Sequence, residues 1–450
     1  MGKYFKTDGY RGKVGKDLLV KHAYLIGEYL AWSKIKANGS VKPCRIIIGK
    51  DTRRSSYAIE YAISSGIASV GGNAYLMHVT TTPSVAYAVK TGGFDYGIMI
   101  SASHNPYYDN GIKIIGAGGE KVSEKVTDEI EFYIDNGSSI LGEIPSLLTG
   151  VPMGEIIDYS AVRSNYTSHL ISTFTYSLWG KKIVLDTANG STYKIARVVY
   201  ERLGAEVVVI NSSPNGFNIN ENCGSTNIGA LKKEVVNQRA DFGFAFDGDG
   251  DRCIAVDESG NVVDGDKIIY LTAMRLKEKG QLFDNKVVVT VMSNLGLIEE
   301  LQANDITTFV TGVGDRFVYE KMCETGAILG GENSGHIIFS KDATTGDGIL
   351  TSLKICEALI ESKKSLSELV SPLKLYPQII KNFPVNNPLQ VVESESVKNA
   401  TALAQKFLGK CGRVLVRASG TEPVVRVMAE ARFECDAITA IKIIEDALKV

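Results

Sequence analysis

Residues 242–256 read Phe-Gly-Phe-Ala-Phe-Asp-Gly-Asp-Gly-Asp-Arg-Cys-Ile-Ala-Val, an acidic, glycine-spaced segment between two apolar runs. The apolar flanks predict two strands, and the glycines allow the chain between them to curl tightly. Asp247, Asp249 and Asp251 can then turn inward around one hard cation. Two carboxylates about 4 Å apart repel by roughly 4 kcal/mol at an effective dielectric of 20, so three of them favour a bound cation such as Mg²⁺.

Two other interpretations of this segment are weaker. An EF-hand calcium loop needs an acid at its twelfth position, where Glu258 stands, but it also needs a glycine where Arg252 stands and helices where the flanks predict strands. If the segment were only a solvated acidic hairpin turn, nothing would offset the repulsion among three converging carboxylates. The sequence therefore favours a strand, a cation-binding loop and a second strand.

Similar apolar runs that end in polar loops recur along the chain, at residues 46–48, 183–185 and 287–289. After the first run, an apolar stripe with helical spacing includes Ile59, Ile63 and Ile67. Repetition of strand, loop and helix predicts an α/β fold with three related domains. The 45 glycines agree with many tight turns between these elements.

A second chemical motif, Ser101-Ala102-Ser103-His104-Asn105-Pro106, follows the apolar run at residues 98–100. Asn105-Pro106 favours a turn, so a hydroxyl is presented at the carboxyl end of a strand, where open α/β sheets bind their ligands. Ser103 is the candidate nucleophile, with His104 beside it as a catalytic residue or simply a polar loop residue. Lys113 could supply positive charge to a phosphoryl group on Ser103, or could be an ordinary surface lysine.

A third motif, Gly330-Gly331-Glu332-Asn333-Ser334-Gly335-His336, is a glycine-flanked polar loop between two apolar runs. Its side chains offer donors and acceptors suited to sugar hydroxyls. An ordinary hairpin loop is the alternative interpretation.

A fourth motif runs from Arg417 to Arg426 as Arg-Ala-Ser-Gly-Thr-Glu-Pro-Val-Val-Arg. Two arginines frame Ser419, Gly420 and Thr421, an arrangement that predicts a phosphate-binding loop without the P-loop pattern. A nucleophilic hydroxyl, a metal cluster, a sugar-type loop and a phosphate loop together indicate phosphoryl transfer on a phosphosugar.

Composition excludes several functional classes. The 49 Lys and Arg residues nearly balance the 51 Asp and Glu residues, so neither nucleic acid nor a membrane surface is an expected partner. The seven cysteines are scattered and lack a CxxC pair, which favours a reducing cytoplasm over a disulfide framework. The N-terminus has charge where a signal peptide needs an apolar core, and we expect a cytoplasmic protein.

Pro- and Gly-rich stretches mark the first and last domain boundaries, and a strand, a turn and a new helix that meet near Gly260 mark the second. These boundaries give four predicted domains. They are an α/β domain with the serine loop (1–153), an α/β domain with the metal loop (154–259), an α/β domain with the sugar loop (260–373) and a smaller C-terminal α+β domain with the phosphate loop (374–450). Four prolines between Pro372 and Pro388 predict a hinge before the last domain.

These four loops, in this order, resemble the signature loops of the α-D-phosphohexomutase superfamily, and the resemblance covers nearly the whole chain. Finer features are similar to the bacterial phosphoglucosamine mutases: residues 7–12, 218–226 and 344–348, and Asn333 in the sugar loop. The resemblance implies the four-domain phosphohexomutase architecture, with three related α/β mixed-sheet domains and a smaller C-terminal α+β domain. Lys6 and Ser56 depart from the family pattern, which usually has glycine at both positions.

The resemblance also implies roles for individual residues. Ser103 would carry a phosphate that completes the Mg²⁺ shell with Asp247, Asp249 and Asp251. The residues implied near the reacting phosphoryl group are Arg11, His104, Lys113, Arg252 and His336, with His336 or Lys113 as the proton-transfer group. The residues implied to bind substrate are Glu332, Asn333 and Ser334 for sugar hydroxyls, and Arg417, Ser419, Gly420, Thr421 and Arg426 for the non-reacting phosphate.

The implied activity is the reversible conversion of glucosamine 6-phosphate to glucosamine 1-phosphate, through a phosphoserine and a bound 1,6-bisphosphate, in UDP-N-acetylglucosamine and cell-wall precursor synthesis. A sugar 1,6-bisphosphate is the implied activator, and a monomer or homodimer is expected. A phosphomannomutase/phosphoglucomutase is the alternative within the class. A phosphosugar phosphatase and a noncatalytic phosphosugar-binding protein are the alternatives outside it.

Overall fold

A computed structural model describes residues 2–6, 8–39, 42–137, 153–418 and 423–448. The chain forms two compact units. The first comprises Met1–Val291 and Thr307–Val370, and the second comprises Met292–Ile306 and Ser371–Val450. No helix in the described ranges is long and apolar enough to cross a membrane.

The first sheet of the first unit has seven strands: β1 (Phe5–Lys6), β2 (Gly9–Lys13), β3 (Arg45–Lys50), β4 (Asn73–Val79), β5 (Tyr96–Ile100), β6 (Asp109–Gly116) and β7 (Ile156–Asp158). Their order in the sheet is β1-β2-β6-β5-β3-β4-β7. Strands β3, β4, β5 and β7 run parallel, and β6 returns antiparallel beside β5. The helices of this region are α1 (Val20–Ala37), α2 (Ser55–Ser69), α3 (Thr82–Gly92) and α4 (Glu124–Asn136).

The sequence of β3 explains why this sheet is covered on both faces. Ile46 and Ile48 belong to the buried cluster that includes Ile59 of α2, whereas Ile47 belongs to the cluster that includes Val85 of α3. Side chains alternate between the two faces of a strand, so a continuous apolar run needs a helix on each side.

The second sheet comprises β8 (Lys182–Asp186), β9 (Glu206–Ile210), β10 (Phe242–Phe246), β11 (Cys253–Asp257) and β12 (Val262–Val263). Their order is β12-β11-β10-β8-β9. Helix α5 (Arg163–Ser172) precedes this sheet, and α6 (Thr192–Arg202) and α7 (Gly229–Gln238) connect its parallel strands. The two strands predicted around the Asp-Gly segment are β10 and β11, which pair antiparallel.

The third sheet comprises β13 (Lys286–Thr290), β14 (Thr307–Thr311), β15 (Leu329–Gly331) and β16 (Ile337–Phe339), in the order β14-β13-β15-β16. Its region also contains α8 (Gly265–Glu278), α10 (Asp315–Thr325), α11 (Gly348–Ser362) and α12 (Leu366–Val370). Between β13 and β14 the chain passes through α9 (Leu295–Ala303), whose residues belong to the second unit.

Four strands recur in the same order in all three sheets: β6-β5-β3-β4, β11-β10-β8-β9 and β16-β15-β13-β14. In each case three strands are parallel and the fourth returns antiparallel beside the third. This shared topology confirms the prediction of three related α/β domains with mixed sheets.

The second unit contains a three-stranded antiparallel sheet of β17 (Gln378–Pro384), β18 (Gly412–Ala418) and β19 (Val424–Ala431), in the order β17-β19-β18. Its other helices are α13 (Pro388–Glu393), α14 (Glu395–Leu408) and α15 (Glu434–Leu448). Alternate residues of β19, Val425, Val427 and Ala429, share a buried cluster with Ala440 and Ile441 of α15. This period of two confirms the smaller α+β domain.

The four predicted domain ranges remain a prediction. Strand β7 begins three residues after the first predicted boundary at 153 and pairs with β4 of the first sheet. Most of the predicted first linker, residues 138–152, lies outside the described residues. The proline-spaced segment predicted as a hinge contains β17, which pairs along its length with β19.

Candidate active site

Three of the predicted motifs occupy the same position in the repeated topology. The serine loop connects β5 to β6, the Asp-Gly loop connects β10 to β11, and the sugar loop connects β15 to β16. Each loop therefore lies between the third parallel strand of its sheet and the antiparallel strand that follows. The loops also touch: Ser103 Oγ lies 2.5 Å from Asp247 Oδ2, and the backbone N–H of Cys253 donates to the Gly335 carbonyl at 3.0 Å.

The Asp-Gly loop forms a carboxylate cluster. Ligand oxygens of Asp247, Asp249 and Asp251 lie within 4.8 Å of one another, and all three side chains are buried. Within the described residues, Asp249 Oδ1 is buried without a hydrogen-bond partner. A buried carboxylate oxygen without a partner is costly, and oxygen donors are those that hard cations prefer. The cluster therefore fits a divalent cation such as Mg²⁺.

Glycines let this loop pass close to its neighbours. Gly250 has a φ of 72°, and a Cβ at this position would lie 2.6 Å from Thr192 and 2.9 Å from Thr81. A Cβ at Gly248 would lie 2.5 Å from the carbonyl oxygen of Ser103. Alanine at Gly248 therefore cannot be accommodated without moving the serine loop.

Electrostatic conditions differ among the three aspartates. Burial, together with the charges of Asp251 and Asp249, raises the pKa of Asp247 well above its usual value. Burial also opposes the ionisation of Asp251, but Lys113 and His336 outweigh it and lower the pKa of that carboxyl well below its usual value. The mutual repulsion of these carboxylates is therefore felt most strongly at Asp247, whereas Asp251 is stabilised as an anion by its cationic neighbours.

Ser103 is 1% exposed and has a φ of 52°, in the left-handed region that serine rarely adopts. Its hydroxyl donates to Asp247 Oδ2 at 2.5 Å. The conformation turns the hydroxyl of the first sheet toward the carboxylates of the second. A nucleophile candidate and a cation-binding cluster are therefore adjacent.

Lys113 is buried rather than on the surface. Its Nζ donates to Asp249 Oδ2 at 2.7 Å and to Asp251 Oδ2 at 3.0 Å, and it lies 3.6 Å from Asp8. Burial alone would lower the pKa of Lys113, but these three carboxylates raise it well above its usual value. The ammonium group therefore stays protonated, which suits charge stabilisation and not proton abstraction.

Lys113 belongs to a wider ion network. Asp8 accepts hydrogen bonds from Arg11 and from Lys121, and Lys121 also bonds Asp315 at 2.6 Å. A cavity of about 580 Å³ borders Lys113, Lys121 and Asp315. The lining of that cavity is mostly apolar and includes neither Ser103 nor the aspartate cluster. We therefore assign the chemistry to the polar centre and not to this cavity.

The two histidines have different hydrogen-bond partners. His104 Nδ1 accepts from Arg252 at 3.2 Å and lies 3.4 Å from Ser103 Oγ. Burial, reinforced by Arg252 and Arg11, lowers the pKa of His104 to about 4, so this imidazole is neutral at pH 7.

His336 Nε2 accepts the backbone N–H of Gly346 at 3.0 Å, which leaves the ring proton on Nδ1, 3.8 Å from Asp251 Oδ1. Burial disfavours protonation of His336, but Asp251 and Asp315 raise its pKa above the usual value. A Cβ at Gly346 would lie 2.6 Å from the His336 ring, so this glycine is needed for the close approach.

The sugar loop is anchored through its backbone. Gly335 N–H donates to the Glu332 carbonyl at 3.0 Å, and the Asn333 carbonyl accepts the N–H of Gly265 at the start of α8. Glu332 Oε1 accepts the Gly314 N–H at 3.0 Å, and Ser334 Oγ is buried without a hydrogen-bond partner in the described part of the chain. The Ser334 hydroxyl therefore has hydrogen-bonding capacity that no described residue uses.

Two predicted phosphate-binding residues lie in the second unit. Arg417 on β18 and Arg426 on β19 stand directly opposite each other and border a cavity of about 210 Å³ with Asn382 and Met428. Burial and the charge of Arg426 lower the pKa of Arg417. The other residues of this motif, Ser419, Gly420 and Thr421, lie outside the described residues.

Four domain models of the phosphoglucomutase/phosphomannomutase family match the chain in order: alpha/beta/alpha domain I at residues 2–140, domain II at 164–260, domain III at 264–376 and the C-terminal domain at 380–445. The chain is 52% identical over 431 residues to a phosphoglucosamine mutase of Lachnospira eligens, covering 96% of this chain and 95% of that protein. This chain belongs to the phosphoglucomutase/phosphomannomutase family.

Other members of the phosphoglucomutase/phosphomannomutase family agree in sequence and in fold. A phosphoglucosamine mutase of Lachnoclostridium phytofermentans is 51% identical over 433 residues, covering 96% of this chain and 94% of that protein. The crystal structure of a family protein from Burkholderia thailandensis has a TM-score of 0.80 at 23% identity, covering 99% of this chain and 97% of that one. The four-domain architecture expected from the signature loops is thereby confirmed.

Sequence reasoning missed several side chains around this centre: Asp8, Asp51, Arg53, Thr82, Lys121, Asn220 and Asp315. Asp51 and Arg53 follow β3 directly, so their position at the carboxyl end of a parallel strand was an available signal. Asp8, Lys121 and Asp315 come from separate stretches of the chain that only the packed unit brings together.

Proposed function

We propose that this protein is a phosphoglucosamine mutase, an isomerase that interconverts glucosamine 6-phosphate and glucosamine 1-phosphate and supplies UDP-N-acetylglucosamine synthesis in the cytoplasm. Its similarity to curated phosphoglucosamine mutases over 96% of the chain supports the choice of substrate. The contact between the Ser103 hydroxyl and Asp247, within a buried cluster of three carboxylates and Lys113, carries the chemistry.

In the proposed reaction, phospho-Ser103 donates its phosphoryl group to the free hydroxyl of the sugar phosphate. The Oγ–P bond breaks, a bond between phosphorus and the sugar oxygen forms, and the hydroxyl proton ends on Ser103 Oγ. The resulting 1,6-bisphosphate reorients in the site so that its two phosphate groups exchange places. Its other phosphoryl group then returns to Ser103 by the reverse of these steps. A free sugar 1,6-bisphosphate is the proposed activator because it can phosphorylate Ser103 by the same transfer.

The residues around Ser103 have distinct proposed tasks. Lys113, which three carboxylates hold as a cation, stabilises charge on the transferring phosphoryl group together with Arg11 and Arg252. His336 is the proposed proton relay because an imidazole can exchange its Nδ1 proton near neutral pH, whereas the ammonium group of Lys113 is held protonated. His104 keeps Arg252 oriented beside the serine.

Asp247, Asp249 and Asp251, completed by the phosphate on Ser103, would hold a Mg²⁺ ion. When bound, Mg²⁺ offsets the repulsion among these groups and stabilises negative charge on the phosphoryl oxygens. Asp249 Oδ1, which has no hydrogen-bond partner among the described residues, and the raised pKa of Asp247 both support a cation at this cluster.

Two further groups of residues would hold the substrate. Glu332, Asn333 and Ser334 are proposed to bind sugar hydroxyls, since the backbone of Gly335 in their loop bonds Cys253 at the end of the Asp-Gly loop and Ser334 Oγ has no partner in the described residues. The proposed partners of the non-reacting phosphate are Arg417, Ser419, Gly420, Thr421 and Arg426. The facing arginines of β18 and β19 support this assignment because an anion between them relieves their mutual repulsion.

A direct test compares glucosamine, glucose and mannose 6-phosphates as substrates of the purified protein, with Mg²⁺ and trace glucose 1,6-bisphosphate. We expect isomer formation with a clear preference for glucosamine 6-phosphate. Preference for mannose or glucose phosphate would instead assign a phosphomannomutase/phosphoglucomutase. Release of inorganic phosphate without isomer would assign a phosphatase, and binding without turnover would assign a phosphosugar-binding protein.

A further inference from the structure

The serine loop is held from two sides through the same two backbone carbonyls. Arg53 Nη2, from the loop after β3, donates to the carbonyls of Ser103 at 3.2 Å and Asn105 at 2.6 Å. Asn220 Nδ2, from the region between β9 and α7, donates to the same two carbonyls at 2.8 and 3.0 Å. One donor belongs to the first repeat and the other to the second.

Arg53 is itself fixed. It is fully buried, and Asp51 accepts hydrogen bonds from both its backbone N–H and its Nη1. The same carboxylate accepts the Ser101 hydroxyl at 2.6 Å, and Ser101 Oγ in turn accepts the backbone N–H of Ser103 at 2.9 Å. Both the N–H and the carbonyl of the nucleophile are therefore tied to one buried ion pair.

The unusual conformation of Ser103 explains why such support is needed. Ser103 has a φ of 52°, a conformation for which serine has no intrinsic preference. In this conformation the carbonyls of Ser103 and Asn105 are directed toward common donors. Without Arg53 and Asn220 those carbonyls would repel each other, and the loop would relax toward ordinary backbone angles. The serine hydroxyl would then leave its position at Asp247.

Asn220 suits its role in a second way. It has a φ of 58°, which asparagine tolerates better than most residues, and a Cβ at Gly248 would lie 3.1 Å from its Nδ2. Gly248 belongs to the carboxylate loop, so the amide of Asn220 lies between the serine loop and the aspartate cluster. Asn220 belongs to residues 218–226, one of the features similar to the bacterial phosphoglucosamine mutases. Its contacts with the serine loop give this segment a structural role in addition to the chemistry assigned above.

We propose that Arg53 and Asn220 are positioning residues that clamp the serine loop between the first two sheets and so aim Ser103 at the carboxylate cluster. Neither side chain bonds a reacting atom: Asn220 donates to two backbone carbonyls, and Arg53 donates to the same carbonyls, to Asp51 and to Ser101. The proposal rests on the proposed function, since it assumes that phosphoryl transfer passes through Ser103.

The test uses Asn220→Ala, because Asn220 is only partly buried and its removal spares the ion pair. Asn218→Ala is the matched control: it lies two residues away, and its side chain bonds Ser213 and Asn215 instead of the serine loop. We expect Asn220→Ala to lower kcat by about 10- to 100-fold with KM changed less than about 2-fold, as a misplaced reacting group does. Asn218→Ala should keep wild-type kcat.

A second measurement separates positioning from folding. Intact mass identifies the phosphorylated fraction, and single-turnover transfer from purified phosphoenzyme to glucosamine 6-phosphate should slow by a similar factor, while the Tm stays near that of Asn218→Ala. Arg53→Lys keeps the positive charge but loses the two-pronged set of guanidinium donors. This variant should likewise lower kcat with little change in KM.

Wild-type kcat and transfer rate in Asn220→Ala would overturn the proposal, as would a loss of activity that only parallels a fall in Tm. Ser103→Ala distinguishes this failure from failure of the proposed function. If Ser103→Ala is inactive while Asn220→Ala is fully active, the function stands and the clamp does not. If Ser103→Ala retains wild-type turnover, the function itself is wrong.

Discussion

The serine–aspartate centre of the first unit and the arginine pair of the second unit are both proposed to bind phosphate groups. In the first region cations face carboxylates, whereas in the second, one cation faces another. In the first, each cation faces carboxylates: Lys113 bonds Asp249 and Asp251, and Lys121 bonds Asp8 and Asp315. In the second, Arg417 faces Arg426 across two paired strands, and the pKa of Arg417 is lowered by burial and by that neighbour.

This difference separates two tasks in phosphate handling. A centre that transfers a phosphoryl group must hold cations, carboxylates and a nucleophile in fixed positions while charge moves among them. A site that only binds a phosphate needs positive charge and hydrogen-bond donors directed at the anion. We therefore expect substitutions in the first region to lower kcat and substitutions in the second to raise KM.

The largest effect is expected from Ser103→Ala. Removing the Oγ that receives the phosphoryl group should lower kcat by about 10⁴-fold or more, as removal of a nucleophile does in other enzymes. The measurement is steady-state turnover with saturating glucosamine 6-phosphate and added bisphosphate. Ser101→Ala is less informative as a control because its hydroxyl supports Ser103, so Ser164→Ala, on the exposed side of α5, is preferable. Turnover of Ser103→Ala within 10-fold of wild type would contradict the assignment.

The carboxylate cluster should give the next largest effect. Asp249→Asn removes one charge from the proposed cation site, and we expect a loss of about 10²–10³-fold in kcat with a higher Mg²⁺ requirement. The measurement is kcat as a function of Mg²⁺ concentration, with activity abolished by a chelator in the wild type. Asp241→Asn is the matched control, since Asp241 immediately precedes β10 and pairs with Lys181 at 2.8 Å. An unchanged Mg²⁺ dependence in Asp249→Asn would count against the cation site.

In the second unit, Arg417→Ala should raise KM by about 10- to 100-fold, with a smaller change in kcat. This factor corresponds to the loss of one charge-assisted hydrogen bond to the substrate. Substrate-saturation curves for glucosamine 6-phosphate measure both constants. The control is Arg432→Ala, whose side chain is 52% exposed and pairs with Glu299. A fall in kcat at unchanged KM would show that this region takes part in the transfer step, and the comparison between the two regions would fail.

The smallest effect is expected at Asp347, which caps α11 by accepting the Leu350 N–H and also accepts the Tyr166 hydroxyl. Burial raises its pKa from 3.8 to about 6. The folded state therefore binds this proton more tightly than the unfolded state, and the group's contribution to stability is lost as pH rises from about 4 to about 6.

Asp347→Asn keeps a capping oxygen and removes the titration. Relative to this variant, the wild type should lose roughly 1 kcal/mol of unfolding free energy between pH 5 and pH 7. Urea unfolding of both proteins at the two pH values measures the difference, and kcat should change little. A wild type that keeps or gains stability relative to Asp347→Asn between pH 5 and pH 7 would contradict the raised pKa.

What could be predicted from the sequence depended on how close in the chain the cooperating residues lie. Asp247, Asp249 and Asp251 alternate within five positions, so their convergence follows from the glycines between them. The contact of Ser103 with Asp247 crosses 144 positions, and it was expected only because the serine loop resembled a known signature. The repetition of strand, loop and helix was visible as recurring apolar runs, whereas the order of the strands within each sheet was not.

The remainder depends on packing that no short pattern encodes. The Lys121–Asp315 pair joins residues 194 positions apart, and Asn220 reaches the serine loop across 117 positions. Lysines and asparagines in loops are mostly solvated, so nothing in the local sequence of Lys121 marks it, and the resemblance at residues 218–226 gave Asn220 no contact with the serine loop. The burial of Lys113 was equally hidden, because a lysine on a strand is ordinarily directed to solvent.

The placement of the three loops at equivalent hairpins has a consequence for how activity is acquired during folding. Each sheet contributes one part: the proposed nucleophile, the carboxylates or the predicted sugar loop. Each part is short and local, so it can form when its own hairpin forms, yet none is useful until all three sheets have docked. Recovery of catalysis during refolding therefore reports the last docking event of the first unit, later than the return of helical and strand signals.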